Sequence, residues 1–444
     1  MSKRKNSGPL FFKAPKGGGR SPRAQPAPSA AVIDALKIER LSAEGRGIGY
    51  RDGRPVFVAG ALPGETVRAR IANQHRDFAE AETLDLIDPA PERIEPACQW
   101  FGRCGGCQLQ MLDYAQQLEH KERTLRHLLA PFAPRQWGVA LVAAPWRYRH
   151  RARLAVTQDA DGAPAIGFKS ANSHRVQPVT DCAVLDPALQ ALLPELPRWL
   201  AQLEQWQRID EIVLVAGADG RIALAYRAER NLPAADRERL CEAAAQHAVS
   251  VDKALTLPYR VPSQALKFAF GPLDFTQVNP AVNDQLVARA LDWLQLDARD
   301  RVADFFCGLG NFTLPIARHA EAVIGFEMEA AMVARAAANA RAANIDNAEF
   351  VAADLFAQPL APTTLPAACS KALLDPPRAG ARALCELLAT RTLDAIVYVS
   401  CNPHTLVRDL GILVAGGYRV ERAALADMFP QTGHSEAIVL LRKV

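Results

Sequence analysis

Arg301-Val-Ala-Asp304-Phe-Phe306-Cys-Gly308-Leu-Gly310-Asn311-Phe-Thr313 is an apolar run of strand length that stops at a turn holding two glycines. A helical stretch, Thr313–Ala320, follows it directly. Strand, glycine turn and helix in that order open an α/β unit. The alternation continues through strand Ala322–Phe326, helix Ala330–Ala343, and strands Glu349–Ala352, Lys371–Leu374 and Ala395–Val399. With a helix from Val282 ahead of it, this pattern predicts an α/β domain over residues 276–444, built on a doubly wound parallel sheet.

Ligands of open α/β sheets bind outside the carboxyl ends of the strands, which is where the glycine loop falls. Gly308 and Gly310 allow a tight turn and a close backbone approach. Thr313 stands where the dinucleotide fingerprint has its third glycine, which favours a cofactor without a pyrophosphate. Glu327 ends the next strand, placed to accept both ribose hydroxyl protons, and Asp354 ends the third, within reach of an adenine amino group. Either acid alone reads equally well as a solvated loop residue or a helix cap. Glycine loop, Glu and Asp on consecutive strand ends fit S-adenosylmethionine best.

The fourth strand ends in Leu374-Asp375-Pro-Pro-Arg378. An Asp-Pro-Pro step suits methylation of exocyclic amines, but an aromatic residue then usually follows, where this chain has Arg378. The next strand ends in Ser400-Cys401-Asn-Pro403. A thiol there has a definite use. The C5 carbon of a pyrimidine is a poor nucleophile until a thiolate adds at C6. A base must afterwards remove the C5 proton. Glu436, in Thr432-Gly-His-Ser-Glu436, begins the last strand and is the candidate, with His404 and His434 as rivals. The plain alternatives are a buried apolar cysteine and a surface carboxylate.

The rest of the chain is organised differently. Half of the 444 residues are hydrophobic (49%), enough for several cores, and the net charge is only +4. Residues 1–30 carry Lys3, Arg4, Lys5, Lys13, Lys16, Arg20 and Arg23 without an acid, a basic disordered tail suited to phosphate backbones or simply to solvent. Residues 31–88 alternate in short stretches between glycines and predict a small β-barrel of the kind that binds RNA. Pro89, Pro91 and Pro96 then lead into a mixed central region, 89–275, with a helix over Tyr114–Leu129. It opens with Cys98-x5-Cys104-x2-Cys107, for which Cys182 is the best fourth ligand. Four thiolates admit zinc or an iron–sulfur cluster, and spacing does not choose between them. No secretory signal and no uncharged run of roughly 18 residues is present, which points to a cytoplasmic protein with no membrane partner.

Taken together, the motifs resemble those of the RNA 5-methyluridine methyltransferases. Asp304–Pro315, Leu374–Arg378, Ser400–Pro403 and Gly433-His-Ser-Glu436 carry the likeness, which extends over nearly the whole chain. The resemblance implies a Rossmann-like S-adenosylmethionine-dependent domain, an N-terminal TRAM barrel (OB-like) and a central α+β iron–sulfur domain. It implies Cys401 as nucleophile and Glu436 as base. Cofactor contacts would come from Gln277, Phe306, Asn311, Glu327, Asp354 and Asp375, of which Gln277 and Phe306 rest on the family alone. A four-iron four-sulfur cluster would sit on Cys98, Cys104, Cys107 and Cys182. Barrel, cluster and length together are similar to the member acting on 23S ribosomal RNA. The expectation is a monomeric enzyme methylating C5 of one 23S uridine. Its rivals are a tRNA uracil-C5 or RNA cytosine-C5 methyltransferase and a non-catalytic RNA-binding assembly factor.

Overall fold

The computed structural model describes residues 31–170, 175–252 and 254–444; the basic tail, residues 1–30, lies outside them. β1 (Val32–Leu41), β2 (Gly47–Arg51), β3 (Arg54–Ala59), β4 (Thr66–Gln74) and β5 (Ala79–Asp88) close into a barrel in the order β1-β2-β3-β5-β4. Alternation decides which side faces in: Val67 and Ala69 of β4 point to the core, Arg68 and Arg70 to water. Glu65 pins the barrel to the segment that follows. Fully buried, it accepts from the Leu62 N–H (2.7 Å), the Ala90 N–H (3.2 Å) and Arg93 Nε (2.5 Å).

The helix Tyr114–Leu129 is capped by Asp113, whose side chain accepts from the Gln116 N–H at 3.0 Å. After it comes the two-residue strand β6 (Gln136–Trp137). A six-stranded sheet holds β7 (Arg151–Gln158), β8 (Pro164–Lys169), β9 (Val176–Pro178), β10 (Ile209–Ala216), β11 (Ile222–Ala228) and β12 (Val249–Val251) in the order β12-β11-β10-β7-β8-β9. The hairpin β13 (Leu257–Val261) and β14 (Leu266–Phe270) leads on to the helix Pro280–Leu294.

The largest sheet contains β15 (Arg301–Phe305), β16 (Ala322–Glu327), β17 (Ala348–Ala352), β18 (Lys371–Leu374), β19 (Ala395–Ser400), β20 (Tyr418–Ala426) and β21 (Glu436–Lys443). Its order is β17-β16-β15-β18-β19-β21-β20-β6. β15 to β19 are parallel, but β21 enters antiparallel between β19 and β20, and the sheet is mixed rather than purely parallel. A strand buried on both faces is a continuous apolar run in either direction, so its orientation leaves no mark in composition. β18 and β19 are buried at every position. Apolar layers cover both faces, one around Val287, Trp293 and Leu440, the other around Phe305, Tyr398 and Leu410. The helix begun at Thr313 closes at Ala317, sooner than expected, because the chain must turn back to start β16 at Ala322. Among the described residues, no helix is long and apolar enough to cross a membrane.

The helix Tyr114–Leu129 joins this sheet through a buried ion pair. Lys121 Nζ lies 2.6 Å from Asp427 Oδ1 and donates to the Phe429 carbonyl at 3.0 Å, while the Tyr114 hydroxyl donates to Asp427 Oδ2 at 2.9 Å. The two charged side chains are 1% and 0% exposed. Removing one charge leaves the other desolvated and unpaired. Asp427→Ala should therefore lose about 3–5 kcal/mol in chemical denaturation, and pairing it with Lys121→Met should recover much of that loss. An unchanged denaturation midpoint for Asp427→Ala would show that the pair does not hold the helix.

Candidate active site

Antiparallel entry of β21 brings the two expected catalytic residues together. Ser400 of β19 pairs with Ala437 of β21, so Cys401 and Glu436 are adjacent at the carboxyl edge of the sheet. Cys401 is half-buried, and Glu436 is 2% exposed with Oε2 lacking any hydrogen-bond partner. Burial, then the charge of Asp375, pushes the Glu436 carboxyl well above the carboxylate range. Burial likewise raises Asp375, whose Oδ2 accepts from Gln277 Nε2 at 3.4 Å. The Cys401 thiol is pushed up to about 11, first by burial and then by Glu436 and Asp375, with Arg378 opposing them.

Arg378 follows the two prolines and is held from both ends. Its carbonyl accepts from Asn402 Nδ2 at 2.9 Å and from Thr405 Oγ1 at 3.2 Å. Its Nη2 lies 3.0 Å from His434 Nδ1. Desolvation and the Arg378 guanidinium push His434 down to about 4, which makes it a weak base. His404 is exposed on the first turn of the helix Pro403–Ala415. Of the three bases considered, Glu436 alone is buried beside the thiol with a free oxygen.

The glycine loop lies next to this pair. Gly308 and Gly310 have φ of +54° and +92°, the region that favours glycine, and Phe306 reaches +65° despite its side chain. Gln277, Phe306, Asn311 and Asp375 line one cavity with Tyr259 and Thr276. Glu327 lies at the cavity's edge, its Oε2 accepting from the Gly308 N–H at 3.2 Å. Asp354 is exposed at the end of β17, outside that lining, with Oδ1 accepting from the Phe356 N–H at 2.9 Å.

Two features of this loop were not legible in the motifs. Thr313, in the position of the missing third glycine, donates to the buried Asp304 Oδ2 at 2.5 Å. Asp304 is pushed up to about 7, mainly by burial, with Asp375 and Glu327 adding to it, and its Oδ1 has no partner. Asn283 exchanges two side-chain hydrogen bonds with Asn311, at 2.9 and 3.0 Å, fixing the Asn311 amide. Asn283 lies in a helix whose apolar pattern conceals it.

Cys98, Cys104, Cys107 and Cys182 line a second cavity together with Tyr148, Arg149 and Arg153. Burial, then hydrogen bonding and the neighbouring thiols, sets the acidity of two of them: Cys107 is pushed up to about 12 and Cys182 to about 11. Among the described residues, no three His, Cys, Asp or Glu side chains are gathered as the ligands of a single metal ion. Cys307 and Cys385 are buried apart from this group, Cys369 is buried elsewhere in the sheet domain, and Cys241 is exposed.

Comparison with known proteins agrees with this geometry. Residues 239–444 match the family model for tRNA (Uracil-5-)-methyltransferase, and residues 35–84 match the TRAM domain. The Pseudomonas putida 23S rRNA (uracil(1939)-C(5))-methyltransferase RlmD is 43% identical over 99% of this chain and 99% of its own. The protein of that name in Hahella chejuensis is 40% identical over 92% of this chain and 96% of its own. A solved structure, the Pyrococcus abyssi tRNA (uracil-54, C5)-methyltransferase in complex with S-adenosyl-L-homocysteine, shares the fold with a TM-score of 0.69 at 23% identity, covering 92% of this chain and 100% of that one. At this identity over nearly its full length, the chain belongs to the family of 23S rRNA (uracil(1939)-C(5))-methyltransferases.

Proposed function

We propose that the protein methylates C5 of a uridine in 23S ribosomal RNA, the position numbered 1939 in the names of its relatives. One observation carries this reading: a thiol and a buried carboxylate with one unpartnered oxygen stand on adjacent strand ends, near the cavity that Asp375 lines. Asp375 lines that cavity, its charge and that of Glu327 both raise the buried Asp304 behind it, and a cationic ligand relieves that repulsion. S-adenosylmethionine has a sulfonium and an ammonium, and bound in this cavity it supplies the methyl group. Gln277, Phe306, Asn311, Glu327 and Asp375 would hold it, with Asp354 reaching its adenine from the end of β17.

Cys401 adds to C6 of the uracil, which makes C5 nucleophilic. Once C5 carries the methyl group, Glu436 takes the C5 proton. The C6–S bond then breaks and returns the thiolate of Cys401. The target base must leave its stack to meet both residues. Arg378 lowers the cost of the thiolate, and the raised Glu436 is poised near the operating pH, where a base works best. RNA would enter along the groove between the barrel and the helix Tyr114–Leu129, where Arg40, Arg123, His127 and His404 stand among Glu39, Glu44, Glu92 and Glu119. The four-thiol cavity suits a four-iron four-sulfur cluster: four soft donors face one space, and positive charge there would reverse the like-charge penalty on the thiolates. Cys98, Cys104, Cys107 and Cys182 would hold it.

A transcript carrying 5-fluorouridine has no C5 proton to surrender. With methyl-labelled S-adenosylmethionine it should give a labelled, denaturation-resistant protein–RNA adduct that is absent in Cys401→Ala. Glu436→Gln should trap the same adduct on ordinary RNA. Label transferred without any adduct would instead indicate amine or ribose methylation, and RNA binding without label a scaffold.

The acidity of the thiol gives a pH prediction. With Cys401 at about 11, kcat/KM should rise close to tenfold per pH unit above neutrality. Arg378→Gln should lower it at every pH. A profile flat from pH 6 to 9 would mean that the thiol is already ionised.

Stability should respond in the opposite sense. The Glu436 carboxyl is raised in the fold, so the stability tied to its protonated form is complete below the unfolded value near 4.3. That stability is lost as pH rises through the folded value. Glu436→Gln should therefore raise Tm at pH 8 and make little difference at pH 4; equal shifts at both would remove the raised carboxyl as the cause.

A further inference from the structure

The cysteine cavity and the loop that delivers Glu436 share a wall. The loop, residues 427–435, runs from the end of β20 to β21 and has little regular structure of its own. The turn just past Cys107 holds much of it. The N–H groups of Gln108 and Leu109 both donate to the Gln431 carbonyl at 3.0 Å, and Gln108 Oε1 accepts from the Gly433 N–H at 3.4 Å. From the wall of the cysteine cavity, the Tyr148 hydroxyl donates to the Pro430 carbonyl at 3.1 Å. Gln431 is 2% exposed and sits at φ +70°, a conformation that a non-glycine residue keeps only where its surroundings hold it. Its side-chain Oε1 accepts from Gln117 Nε2 at 2.9 Å, and its backbone N–H donates to Gln117 Oε1 at 3.0 Å.

We propose that Gln108 and Tyr148 are positioning residues, tying the four-cysteine cavity to the 427–435 loop so that a filled cavity sets Glu436 for removal of the C5 proton. This rests on the methylation mechanism above. Cys104 and Cys107 flank a Gly105-Gly106 turn: Gly105 N–H donates to the Lys169 carbonyl, the Gly105 carbonyl accepts from Gln108 Nε2 at 2.7 Å, and Cys104 bridges to Ser170. Thiolates drawn onto one cluster would fix that turn, and with it the donors that reach Gln431 and Gly433. Cys401 depends on none of these contacts. Its strand is buried at every position, and Asn402 is tied to Arg378. Among the described residues, the loop meets the surroundings of the thiol only where His434 lies 3.0 Å from Arg378 Nη2, so a loosened cavity should slow the release step far more than thiolate addition and methyl transfer.

The experiment compares the loaded enzyme with Gln108→Ala, Tyr148→Phe and enzyme stripped of its cluster, whose loss is followed by visible absorbance. Single-turnover label transfer and the fraction of enzyme trapped as adduct on unmodified RNA are measured for each. Amide hydrogen exchange across residues 427–436 is measured in parallel. The expected result is roughly tenfold or more adduct accumulation, label transfer changed far less, and faster exchange confined to 427–436. Release and transfer falling together, or exchange in 427–436 unchanged on stripping, would overturn the proposal. Glu436→Gln is the reference. Failure of that variant to trap adduct would refute the assigned base, while the exchange measurement still decides the coupling by itself.

Discussion

Backbone pairing between β19 and β21 is the constraint from which the rest of the active site follows. Opposed strands put the end of one beside the start of the other, so Ser400 meets Ala437 and Cys401 meets Glu436. Had β21 run parallel, its first residue would lie at the far edge of the sheet, about 20 Å away for strands of this length. The glycine loop and Asp375 belong to β15 and β18, which end at that same carboxyl edge. The ends of β15 and β18 thus bring the glycine loop and Asp375 to one cavity, and one reversed strand brings Glu436 beside Cys401. The short strand β6 and the helix Tyr114–Leu129 then brace β20, the reversed strand's other neighbour.

Electrostatics in this edge runs against folding. Asp304, Asp375 and Glu436 are all raised by burial, and a thiol sits among them. A fold selected for stability alone would replace such a group with apolar residues or supply each acid with donors. Here Asp304 Oδ1 and Glu436 Oε2 are left without partners. That arrangement is costly when empty and complementary to a cation when occupied. The burial that raises Glu436 above the carboxylate range, with the charge of Asp375 adding to it, suits it to the proposed role of base near neutrality. Arg378 is a nearby charge that pulls the thiol toward ionisation, which gives a physical reason for arginine rather than an aromatic residue after the two prolines.

Much of this was legible in the chain, and the rest was hidden for identifiable reasons. The helix Tyr114–Leu129 and the strand Lys371–Leu374 follow from periodicity and turn residues, with the same bounds in the structure. The direction of β21 was not legible, because Glu-Ala-Ile-Val-Leu-Leu has the same apolar character whichever way it runs. The partnership of Thr313 with Asp304 was hidden by its resemblance to a degraded glycine motif. Asn283 and Gln108 are polar residues whose partners, Asn311 and Gly433, are remote in sequence. Motif spacing finds residues that act on a ligand; it does not find those that act on other residues.

Gly433 shows how closely the RNA-binding unit and the chemistry are joined. In the sequence it is simply the first residue of a Gly-His-Ser-Glu motif. In the fold, a Cβ at this position would come within 2.3 Å of the Glu44 backbone, and backbone has no rotamer with which to give way. Glu44 lies in the turn between β1 and β2, and His120 of the long helix meets the Ser42 carbonyl of that turn at 3.1 Å. The barrel is therefore not a tethered module that delivers RNA from a distance. Its first turn packs on the loop leading to Glu436, and its groove ends at His404, just past Cys401. The register between the barrel and the strand end that carries Glu436 is therefore built into the packing of Glu44 on Gly433.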